Sequence, residues 1–105
     1  DYSLSFEIGY DAMINDHDVS AVIEQAAIDM LGAQALYPPE PGMGAEDFGY
    51  MTRKAPGAMF MLGAQYDNQN RPHHSPVFDI AESSFHIGAA MLAETACRLL
   101  KRAAN

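Results

Sequence analysis

Seven consecutive apolar residues, Ala58-Met59-Phe60-Met61-Leu62-Gly63-Ala64, stand between the breaker Pro56-Gly57 and the polar run Gln65 to Arg71. An apolar run of that length without alternation suits a strand covered on both faces, in a sheet flanked by helices. No other segment constrains the fold as much, because such a strand needs neighbours along its edges and a layer over each face. A second strand is expected at the start, where Tyr2, Leu4, Phe6 and Ile8 alternate with Ser3, Ser5 and Glu7 before Gly9.

Helical spacing sets the rest. Val19, Val22, Ile23, Ala26, Ala27, Met30 and Leu31 form one apolar stripe, with Asn15 and Asp16 offering caps and Gly32 the stop. The run Pro38-Pro39-Glu40-Pro41-Gly42 holds neither a helix nor an interior strand and reads as a connecting loop. Glu46 to Lys54 reads as a short helix whose first residues are acids, suited to the positive helix end. A last helix is expected from Ser83 or Ser84, with Phe85, Ala89, Leu92, Ala96, Leu99 and Ala103 on one side and Gly88 allowing close approach to a sheet. The fold class is therefore α/β.

The chain has 105 residues, about one domain by size, and its 49% apolar content argues against disorder. A net charge of −8 repels nucleic acid and anionic membranes at long range, so neither is expected as a partner. Arg98, Lys101 and Arg102 gather at the end of the last helix, where cations complement its negative end. The single cysteine, Cys97, excludes an internal disulfide and a zinc-cysteine cluster, and fits a reducing, cytoplasmic setting. No stretch has the length of a membrane span and no signal-peptide pattern is present. A chain opening on Asp1 rather than Met is expected to have been processed, trimmed or cut from something longer.

Chemistry concentrates in Arg71-Pro72-His73-His74-Ser75-Pro76-Val77-Phe78-Asp79, two imidazoles on a proline-braced loop. Imidazole is the commonest metal ligand among side chains. On an extended loop neighbouring rings point opposite ways, so at most one of His73 and His74 is a ligand, and spacing alone does not choose between them. No His-x-x-x-His or Cys-x-x-Cys completes a site, and His17 and His86 have weaker claims. Glu46 and Asp47 diverge on a helix rather than converge as an acid/base pair. Gly42-Met43-Gly44 lacks the Lys-Ser/Thr of a phosphate loop, and Ser75 lacks the frame of a nucleophile elbow.

Four segments, Asn15-Asp16 before a helix, Met43-Gly44-Ala45-Glu46-Asp47-Phe48, Pro56 to Ala64, and His74-Ser75-Pro76-Val77-Phe78-Asp79, occur in this order. Together with Ile87-Gly88-Ala89-Ala90, they resemble the C-terminal part of the dinuclear metal-dependent amidohydrolases and peptidases: aminoacylases, N-acyl-amino-acid amidohydrolases, hippurate hydrolases and auxin-conjugate hydrolases. The resemblance implies residues 1–9 as a stub of the last lid-domain strand and hinge, and residues 10–105 as the C-terminal part of a discontinuous catalytic domain. Asp11, where the family often has proline, and Ala45, where serine is frequent, depart from its pattern.

The same resemblance assigns His74 as the last metal ligand of a site holding two divalent ions (zinc, manganese, cobalt or nickel). It places Glu46 and Asp47 near the substrate cleft, and Asp79 or Asp47 beside the histidine. It implies hydrolysis of N-acyl amino acids or related amides by a metal-activated water. The glutamate general base and the other ligands would lie upstream, so the chain alone is expected to be inactive, to hold little or no metal, and to associate with the missing half or with itself. The rival reading is a non-catalytic α/β module that binds a small ligand or a partner chain.

Overall fold

The computed structural model describes residues 1–38, 44 and 46–104. Three helices organise them: α1 (His17–Leu31), α2 (Phe48–Thr52) and α3 (Phe85–Ala103), with single 3₁₀ turns at Ala33–Ala35 and Glu82–Ser84. The expected loop over Pro39 to Gly42, with Met43 and Ala45, lies outside the described residues.

Helix α1 starts and stops where its local chemistry dictates. The Asp16 carboxylate accepts from the backbone N–H groups of Asp18 and Val19, both at 3.0 Å, which satisfies donors that the first turn otherwise leaves open. Gly32, at φ 86° and ψ 155°, ends the helix in a backbone region that side chains disfavour. Its apolar stripe buries Val22, Ala26 and Ala27. Removing a valine-sized side chain from water stabilises a fold by about 1.5–3 kcal/mol.

Helix α3 packs on that stripe through Met91, with Ile23, Ile87 and Phe60 around the cluster. Arg98 ties the two helices electrostatically, donating to Asp29 at 2.7 Å and to Glu94 at 2.8 Å. The expected apolar side of α3 is not the covered one. Phe85 and Leu92 are exposed, whereas Ser84, Met91 and Thr95 are buried. Two stripes on this helix satisfy the 3.6-residue period, and the partner α1 decides which is covered.

The α/β expectation is overturned: among the described residues the chain is helical, with no strand and no sheet. Residues 1–10 are exposed throughout, including Tyr2, Leu4, Phe6 and Ile8. Residues 57–60 are half-buried, but Met61 is 88% exposed. A strand exists only as a pairing, and an alternating or continuous apolar pattern prescribes burial without supplying the neighbour. The segment is anchored at its ends instead. Gly57 O accepts from Asp16 N and Ala64 O accepts from Ala81 N, each at 2.9 Å.

The accessible surface, 9069 Å², exceeds the roughly 5,800 Å² that a compact monomer of this mass presents. The radius of gyration, 17.2 Å, likewise exceeds the about 13 Å of a compact chain of this length. Among the described residues, no helix is long and apolar enough to cross a membrane.

Candidate functional site

The bond between Ala81 N and Ala64 O closes the neck of an excursion that contains both adjacent histidines. Arg71 organises its interior. The guanidinium Nη2 donates to Asp67 Oδ2 at 2.7 Å and Nε reaches the same carboxylate, while Nη1 donates to Val77 O at 3.3 Å. Its central carbon lies 5.4 Å from the centre of the Tyr66 ring, within cation–π range. Hydrogen bonding to Arg71, assisted by Gln69 N–H, holds the Asp67 carboxyl below the usual carboxylate range.

At the tip, Pro72 and Pro76 bracket a turn in which Ser75 O accepts from Phe78 N at 3.0 Å and Ser75 Oγ accepts from Val77 N at 3.2 Å. His74 has φ 59°, the one non-glycine residue in the left-handed region among those described. The pair thus occupies a turn rather than an extended loop. Both imidazoles are exposed and neither hydrogen-bonds to a described residue; of the pair, His73 lies against the Phe78 ring, with centroids 5.0 Å apart.

The candidate acids are not gathered around His74. Asp79 is exposed; its Oδ1 accepts from Ile80 N at 2.9 Å, and its charge acts on Arg71. Glu46 and Asp47 border a groove of about 530 Å³ floored by Phe48, Met51, Phe60 and Leu62 and walled by Gly88 and Leu92 of α3. No hydrogen bond or ion pair joins Asp47 or Asp79 to His74 among the described residues. Nor do those residues contain a cluster of three or more His, Cys, Asp or Glu able to hold a metal ion. What they offer is a single candidate donor, the His74 imidazole, whose ring nitrogens bond to no described residue, as is also true of His73 and His86.

Two residues with positional roles escape a reading by motif. Arg71 carries a signal, the i,i+4 spacing from Asp67, which places an acid and a base within reach even in an irregular loop. Asn15 reads as a possible cap, yet its carboxamide pairs with the backbone of Met59.

Comparison with known proteins agrees with the motifs. Residues 1–98 match the family described as peptidase family M20/M25/M40. The probable hydrolase sll0100 of Synechocystis is 35% identical across 90% of this chain and 25% of its own length. The candidate amidohydrolase YhaA of Bacillus subtilis is 34% identical, over 90% of the chain and 24% of that protein. IAA-amino acid hydrolase ILR1-like 2 of Arabidopsis thaliana is 34% identical, over 88% and 21% respectively. The chain spans about a quarter of the length of the curated relatives it matches. With nearly every residue inside the matched region, this chain belongs to peptidase family M20/M25/M40, the amidohydrolase and peptidase family that its motifs resemble.

Proposed function

We propose that this chain supplies one metal donor, the His74 imidazole, to the two-ion centre of an amidohydrolase that cleaves N-acyl amino acids or related amides and peptides. The observation that carries the reading is the presentation of His74: exposed, bonded to no described residue and set, with left-handed backbone, at the tip of a braced turn, in a chain of the M20 family. The divalent ions, zinc, manganese, cobalt or nickel, supply Lewis-acid polarisation of the amide carbonyl and a more acidic water when bound.

This chain's own share is limited. His74 offers a lone pair from a neutral ring. The apolar groove bordered by Glu46 and Asp47 suits an acyl or side-chain group of the substrate, with the two carboxylates at its polar rim. Residues 1–9 act as the end of a lid and hinge, and residues 10–105 as the closing part of the catalytic domain. The large exposed apolar surface, Met61 included, supports association with the rest of that domain, or with a second copy where the rest is lacking. A reducing, cytoplasmic setting belongs to the same reading, supported by the free Cys97 thiol.

One imidazole without a general base does not hydrolyse an amide, so the 105-residue chain is inactive alone. The test is an amidase assay on a panel of N-acyl amino acids with each of the four ions added. Turnover is expected from the full-length protein and none from this chain. Turnover by the chain alone, or none by the full-length protein on any amide, would contradict the proposal.

A further inference from the structure

Building on the reading of His74 as a metal donor, we propose that Arg71 is a positioning residue for metal capture: its guanidinium ties the two limbs of the loop together and so holds His74 at the tip in its left-handed conformation. The geometry is specific to a planar fork. One edge grips the Asp67 carboxylate on the incoming limb, and Nη1 reaches across the turn to the Val77 carbonyl on the outgoing limb. The Tyr66 ring lies within cation–π range of the same group, and the arginine side chain is only 24% exposed. A lysine ammonium, a compact point charge, reaches one of these partners but does not span them.

The consequence for metal binding follows from what the loop would otherwise do. Left-handed backbone at a residue with a Cβ is unfavourable and persists only where its surroundings enforce it. A ligand loop that must order itself on binding loses affinity by the cost of that ordering, whereas a loop already ordered does not. Arg71 orders it in advance. The sign of the effect separates this role from simple electrostatics. Removing a cation near a metal ligand should strengthen binding of a second cation by relieving repulsion, while loss of positioning should weaken it.

The experiment is competition of the full-length protein with a chromophoric chelator for zinc, using wild type, Arg71→Ala, Arg71→Lys, His74→Ala and the double variant Arg71→Ala/His74→Ala, with circular dichroism confirming folding. Arg71→Ala should weaken the His74-dependent zinc by roughly 10- to 100-fold. Arg71→Lys should bind several-fold more weakly than wild type, and serves as the variant of record if the alanine protein does not fold. In the His74→Ala background the arginine change should have no further effect. Zinc affinity unchanged or increased in both single Arg71 variants overturns the proposal, as does an equal loss with and without His74. Unaltered zinc binding in His74→Ala removes the underlying reading as well, and is thereby distinguished from failure at Arg71 alone.

Discussion

The carboxamide of Asn15 pairs with the backbone of Met59 in both directions, Nδ2 donating to Met59 O at 2.9 Å and Oδ1 accepting from Met59 N at 2.8 Å. A side chain here takes the place of a neighbouring strand at one residue of the apolar segment, and fixes that segment against the start of α1. Asn15→Ala removes both bonds. At about 0.5–1.5 kcal/mol net for each, the expected loss is about 1–3 kcal/mol, in the lower half because the site is open to water. Asn15→Asp should destabilise as well, since a carboxylate has no donor for Met59 O. Urea midpoints with an unchanged slope would check both.

Two glycines should respond to alanine with opposite signs. At Gly32 the φ of 86° disfavours any Cβ, so Gly32→Ala should cost about 1–2 kcal/mol. At Gly88 a Cβ would lie 2.9 Å from Leu62 Cδ2, the mobile end of a side chain that is 38% exposed and free to turn aside. Alanine gains up to about 1 kcal/mol over glycine within a helix, and Gly88→Ala should therefore stabilise this chain by about 0.5 kcal/mol. Thermal unfolding of the two variants side by side gives the comparison.

Acid should loosen the α1–α3 contact. Hydrogen bonding from Arg98, and then from Gln25, holds the Asp29 carboxyl below its ordinary value of 3.8. A folded-state pKa below the unfolded one contributes stability that is present above the unfolded value and is lost as pH falls through the folded value. The loss therefore begins near pH 4 and grows below it. In urea titrations between pH 5 and pH 2, Asp29→Asn should start less stable than wild type at pH 5, and the difference should narrow as the pH falls. A gap of constant size across that range would show that the ion pair contributes nothing.

Short-range features of the fold are readable from the residues, and pairings are not. The cap at Asp16 and the stop at Gly32 depend on atoms within one helical turn, and α1 lies where its spacing places it. The run from Ala58 to Ala64 carries the composition of a covered strand, but strand character is a property of two segments, and no described segment forms a ladder along its edge. The exposed Phe85 and Leu92 of α3 show the same limit, because a periodic stripe does not say which neighbour covers it. At the loop, the divergence expected of His73 and His74 presupposes an extended backbone, whereas the two residues occupy a turn. The ring contact between His73 and Phe78 is a tertiary fact that no spacing discloses. The bridging role of Arg71 is legible only as far as its i,i+4 relation to Asp67; Val77, on the far limb, is brought in by the fold.

Metal content measured on purified full-length protein tests the assignment of His74 most directly. His74→Ala should lose at least one divalent ion per chain relative to wild type, while His73→Ala, whose ring is engaged with Phe78, should retain the full complement. An undiminished metal count in His74→Ala, or an equal loss in both variants, would contradict the account.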